Sequence, residues 1–93
     1  MNHNPQTGKT FRKLLDALVR ASSGKQIVYC CESRQMVDWY FRKAVDVCRA
    51  FYLLEGIKIT KYRIEFPVGV LLFKTERDTN LNPVLRQFQV VVD

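Results

Sequence analysis

The 93-residue chain contains a single histidine, His3, close to its N-terminus. A Ser-His-Asp or Cys-His arrangement needs a base held in place by packing, so classical hydrolase chemistry is not expected. Cysteine is scarce too, with Cys30, Cys31 and Cys48 making an odd set. At least one thiol stays free in a monomer, and no disulfide framework is expected. Cys30 and Cys31 are adjacent in an extended, apolar segment and point to opposite faces, which disfavours a bridge between them. Three thiols and His3, without paired spacing, do not make a zinc site, which takes roughly four ligands. No apolar run approaches the ~20 residues that span a bilayer. The opening Met1-Asn2-His3-Asn4-Pro5-Gln6 has neither the basic nor the apolar region of a signal peptide. A cytoplasmic protein without a membrane partner is expected, folded as one domain over 1–93 with 1–8 as a flexible N-terminal segment.

Acidic residues are also in short supply: 9 Asp and Glu stand against 15 Lys and Arg, a net charge of +6. The excess is uneven. Residues 1–25 hold Lys9, Arg12, Lys13, Arg20 and Lys25 against Asp16 alone. A positive field of this kind attracts polyanions such as nucleic acid or nucleotide phosphates. The same residues also read as an ordinary solvated helix face, because Arg12, Asp16 and Arg20 fall at i, i+4 and i+8.

What the chain does have is clear hydrophobic periodicity. From Lys9 to Ser23, Phe11, Leu14, Leu15, Leu18 and either Ala21 or Val19 recur at helical spacing, and Gly24 stands where a left-handed C-cap is needed. Gln26 to Cys31 is short, β-branched and almost wholly apolar, as a strand covered on both faces is. Ser33 is a suitable N-cap for a second helix reaching to about Glu55, with Val37, Phe41, Ala44, Cys48 and Phe51 as its buried stripe. Arg34, Asp38, Arg42 and Asp46 form a charge ladder on the opposite side, and Gly56 ends the helix.

Beyond Gly56 the period becomes strand-like. Ile57 and Ile59 alternate with polar residues, as do Tyr62, Ile64 and Phe66, but the phase slips between the two sets. Either a bulge or two short strands lies there. Pro67-Val68-Gly69 reads as a turn into a returning strand, Val70 to Phe73. Thr75 to Pro83 reads as a loop holding at most one helical turn, and Phe88 to Val92 as a last strand delivering Asp93. The expected fold is therefore α/β, a small mixed sheet of about four strands with two main helices.

Two features carry possible chemistry. Gly8-Lys9-Thr10 opens a helix, and in phosphate-binding loops the glycine allows close backbone approach, the lysine reaches the β- and γ-phosphates and the hydroxyl ligates magnesium. Val90-Val91-Val92-Asp93 is an apolar strand ending in a carboxylate, the arrangement that holds magnesium beside such a loop. Separately, Trp39 falls at helical spacing beside Gln35, Arg42, Lys43 and Asp46. It is a contact for a protein partner, a stacking surface for bases, or a residue packed beneath a neighbouring loop. With Arg12, Lys13, Arg20, Arg42 and Lys43 it makes a candidate nucleic-acid or partner surface. Tyr62 and Arg63 in the hairpin are a weaker candidate of the same kind, while the six phenylalanines fall on apolar faces and read as core.

In this order the motifs resemble the front of the ATPase core of P-loop NTPases, in particular phage terminase large subunits and related helicase-like proteins. In that family the GKT loop and its helix lead to a "GK" turn and an apolar strand, here Gly24-Lys25-Gln26-Ile27-Val28-Tyr29. A helix and an "IxFPxGxxxxF" hairpin follow, here Ile64 to Phe73, and then the Walker B strand, here Gln89 to Asp93. The resemblance implies that Gly8 and Lys9 bind phosphates and that Thr10 and Asp93 serve the magnesium of ATP-Mg. His3 stands where the first glycine of the loop pattern falls, only seven residues precede Gly8, and Asp93 is the last residue. The expectation is thus a truncated P-loop-like interaction protein, phage-encoded, that binds a host protein or nucleic acid in the host cytoplasm without NTP turnover. The alternative is an ATP-Mg-binding protein with weak or no hydrolysis. The sheet edge left by a missing loop-feeding strand calls for a reordered sheet or a homodimer.

Overall fold

The computed structural model describes residues 8–51, 56–81 and 83–92. Helix α1 (Gly8–Ser22) leads into strand β1 (Gln26–Cys31), and helix α2 (Arg34–Phe51) follows. Strands β2 (Lys58–Thr60), β3 (Arg63–Glu65) and β4 (Val70–Thr75) come next. A short helix α3 (Glu76–Leu81), a 3₁₀ turn (Pro83–Gln87) and strand β5 (Gln89–Val92) complete the order. The five strands form one mixed sheet in the order β2-β3-β4-β1-β5. β1 is parallel to both β4 and β5, whereas β2, β3 and β4 form an antiparallel meander. The α/β class is as expected; the sheet has one strand more than the sequence indicates, and α3 with its 3₁₀ turn occupies much of the segment read as loop.

β1 is buried from Ile27 to Cys31 because it is the strand with parallel neighbours on both sides and cover on both faces. Its alternate residues Ile27, Tyr29 and Cys31 join Leu71 and Phe73 of β4 on the face covered by the two long helices. α1 presents Leu14, Ala17, Leu18 and Ala21 to this layer, all fully buried, and α2 presents Val37, Tyr40, Ala44, Val47 and Cys48. Val28, Cys30, Val70 and Leu85 are buried outside that cluster. α3 contacts both β1 and β4.

Three phenylalanines depart from the expected core: Phe11, Phe51 and the half-buried Phe88, which lies outside the core cluster. Phe51 is 75% exposed and Phe11 37% exposed, while Tyr40 takes the buried place on α2. The covered arc of α2 is centred on Tyr40, Ala44 and Val47, so Phe41 lies at its flank; Phe51 shares that stripe by spacing but is exposed as the last residue of α2. Phe41 still packs against the core, edge-on to Phe73 and Tyr62.

Turn chemistry fixes the connections. At the end of α1, the Gly24 N–H donates to the Ala21 carbonyl and the Lys25 N–H to the Arg20 carbonyl, both at 3.1 Å. That pair of bonds, with Gly24 at φ 115°, is a Schellman cap. The Lys25 carbonyl then accepts from the Val70 N–H at 3.2 Å, tying this cap to the start of β4. Ser33 caps α2, its Oγ accepting from the Met36 N–H at 3.3 Å. The phase slip resolves into two short strands, with Ile59 opposite Ile64 and a two-residue loop, Lys61-Tyr62, between them. Tyr62 sits there at φ 60°, a left-handed conformation that a residue with a Cβ adopts only at a cost.

Candidate functional site

Because β1, β4 and β5 are parallel, their C-terminal ends lie along one side of the sheet. α1 returns through its cap into β1, so its first turn lies toward that same side. Open α/β sheets bind ligands there, outside the carboxyl ends of the strands. A direct hydrogen bond fixes the placement: Lys13 Nζ donates to the Val92 carbonyl at 3.1 Å. The second turn of α1, through Lys13, thus reaches the end of β5, and Gly8, Lys9 and Thr10 form the turn before it. The side chains of those three residues, and Asp93 altogether, lie outside the described residues.

The basic residues assigned to a partner surface are dispersed over two helices, and most have local partners. Arg20 pairs with Asp16 at 3.0 Å and Arg42 with Asp38 at 3.1 Å, both i, i+4 pairs on exposed helix faces. Pairs this exposed contribute at most about 1 kcal/mol, so a phosphate can compete for either guanidinium. Lys43 Nζ lies 5.3 Å from the centroid of the Trp39 ring. Trp39 itself is half-buried, packed against the core and edge-on to Tyr40 at 4.9 Å. Arg12 is exposed and has no ion-pair partner among the described residues.

A second place with chemical character lies at the end of β4. A cavity of about 500 Å³ opens between the start of α2, the Lys61-Tyr62 loop, the last residues of β4 and the segment from α3 to Phe88. Arg34, Lys61, Arg63 and Lys74 line it, against Asp78 as the one acidic residue. Of these, the sequence pattern points to Arg63, with Tyr62 beside it, but not to Arg34, Lys61 or Lys74, which are spread along the chain and each look like a solvated position. Their common signal is positional: Arg34 follows β1, and Lys74 is the penultimate residue of β4.

The cysteines do not supply a reactive group. All three are buried and outside any disulfide, and burial pushes the Cys48 thiol up from 9.0 to about 11. The unfolded chain loses that proton near pH 9, whereas the folded chain keeps it until about 11. Stability from this group is therefore intact below pH 9 and falls as pH rises toward 11. Denaturant melts at successive pH values are expected to show a decline through that window that is shallower in Cys48→Ala. Equal declines in the two proteins would refute this. Among the described residues no group of His, Cys, Asp and Glu is arranged to hold a metal ion, and no helix is long and apolar enough to cross a membrane.

Compared with protein-family models, with curated proteins and with solved structures, the chain matches none.

Proposed function

We propose that the chain binds the phosphates of a nucleotide, as its magnesium complex, at the side of the sheet where α1 begins and β5 ends. The observation that carries this reading is the 3.1 Å bond from Lys13 Nζ to the Val92 carbonyl. Lys13 lies one helical turn after Lys9, and Val92 immediately precedes Asp93. A glycine-lysine-threonine turn at a helix N-terminus and a carboxylate at the adjoining strand end are the two halves of a P-loop magnesium-phosphate site. Backbone N–H groups and the positive end of the helix dipole at Gly8 to Thr10 favour an anion there. On this reading Lys9 neutralises phosphate charge, and Thr10 and Asp93 serve the magnesium, on a P-loop-like scaffold.

Titration with ATP and magnesium, followed by NMR, is expected to shift the amide resonances of Gly8, Lys9, Thr10 and Val92. Lys9→Ala is expected to weaken binding at least tenfold, about 1.4 kcal/mol. If ATP-Mg leaves those four resonances in place, the reading fails. Nucleic acid is the second ligand class, favoured by the four basic side chains that line the cavity beside Tyr62.

A further inference from the structure

We infer that the cavity between α2, the Lys61-Tyr62 loop and Phe88 holds one nucleotide unit of a single-stranded nucleic acid. The inference rests on the nucleic-acid reading and is independent of ATP binding at α1. Three observations lead to it.

The first is charge. Of the four basic side chains lining the cavity, Arg63 is engaged by Glu65 at 3.0 Å. Arg34, Lys61 and Lys74 have no ion-pair partner among the described residues. Lys74 is also half-buried. Asp78 offsets one of these charges and leaves an excess of positive charge facing the cavity. A phosphodiester supplies the missing anion.

The second is an aromatic side chain that the core does not use. Phe88 lines the cavity and is half-buried, yet it belongs neither to the core cluster nor to any aromatic pair among the described residues. Tyr62, by contrast, is held edge-on to Phe41 at 5.4 Å, with Lys61 Nζ 5.5 Å from its ring centroid. A ring next to uncompensated cations is the arrangement by which single-strand binders stack a base while holding its backbone.

The third is shape and strain. A concavity of about 500 Å³ accepts a base with its phosphate but cannot enclose a duplex, whose bases are already stacked and paired. Tyr62 lines this cavity in the left-handed region, where a glycine would be less strained. Backbone strain of this kind persists where the surroundings over-determine it, and it gathers at ligand sites.

The test is fluorescence anisotropy of the whole chain with an end-labelled oligothymidylate of about fifteen nucleotides, a length near the upper end of known single-strand site sizes. Phe88→Ala is expected to weaken binding at least tenfold, and Phe88→Leu, which keeps apolar bulk and removes the ring face, nearly as much. Arg34→Gln with Lys61→Gln is expected to weaken it at least tenfold and to lower the salt slope by about 0.7 for each phosphate no longer neutralised. Thermal melts of each variant separate weakened binding from failure to fold. Unchanged affinity in both the Phe88 and the double basic variants overturns the inference. So does a duplex of the same length that binds as tightly, or thymidine monophosphate that competes as well as the oligonucleotide, which reassigns the cavity to a free nucleotide. ATP-Mg binding without oligonucleotide binding sinks this inference and leaves the α1 reading standing; the converse result does the opposite.

Discussion

Gly69→Ala is expected to destabilise the fold by about 3 kcal/mol, at the upper end of the range for overpacking. A methyl group at this position would overlap the Ala21 carbonyl oxygen and lie 2.6 Å from the Lys25 carbonyl oxygen. Both neighbours are backbone, and both belong to the cap that closes α1, so neither can move without loosening the Schellman bonds or the Lys25-to-Val70 bond. The effect is steric alone, since Gly69 does not occupy the left-handed region. In a domain of this size each kcal/mol corresponds to roughly 4–8 °C in Tm, so a loss of more than 10 °C is expected. Val68→Ala is the control: Val68 is 66% exposed, and its truncation is expected to change stability by about 0.5 kcal/mol or less. A Gly69→Ala melt within 2 °C of the parent, roughly the shift from 0.5 kcal/mol, would show that α1 is not clamped at this point.

Phe73→Ala is expected to cost about 3–5 kcal/mol, the range for truncating a buried aromatic. Phe73 is fully buried at the centre of the helix-covered face, with ring contacts to Tyr29 at 5.8 Å and to Phe41 at 5.7 Å. The same side chain backs the cavity, so its removal affects core and site together. Small domains have about 5–15 kcal/mol to lose, which makes this variant a candidate for partial unfolding at 25 °C. Urea titration measures the loss, and Phe73→Leu, which refills most of the void, is expected to recover more than half of it. A loss below about 1 kcal/mol for Phe73→Ala would be too small for a ring buried in this way.

The parts of the fold that are legible in the sequence are those set by local chemistry. Gly24 announces the end of α1 because a residue at φ 115° within a Schellman cap is nearly always glycine. The apolar run Ile27 to Cys31 announces a strand buried on both faces, and the change of period after Gly56 announces the meander. The slip near Tyr62 narrows only to two options, because tyrosine gives no warning of a left-handed turn. α3 is not legible for a related reason. Its sequence, Glu76 to Leu81, lacks an apolar stripe and buries no side chain. It exists because Thr75 caps it, Oγ1 accepting from the Asp78 N–H at 3.2 Å. The approach of α1 to the end of β5 is legible only as chain order, and the partner of Lys13 is not legible at all, whereas Lys43 beside Trp39 follows from helical spacing. Beyond Tyr62 and Arg63 the cavity leaves no trace in the sequence, because Arg34, Lys61 and Lys74 are brought together across long stretches of chain.

The central place of β1 also bears on how the chain reaches its structure. Gln26 has to wait for Val70, and Ile27 for Gln89, before either edge of this strand is paired. Until then the most apolar strand of the protein carries two open hydrogen-bonding edges. Contacts of such long sequence separation slow folding, and unpaired apolar strands are where growing chains associate. Packing of Tyr29 beneath α1 and α2 covers one face of this strand, but its two edges are closed only by β4 and β5. Pairing of β5 with β1 brings the Val92 carbonyl to Lys13. The two halves of the proposed phosphate site thus meet only once β5 is paired, so nucleotide binding would report a sheet with β5 in place.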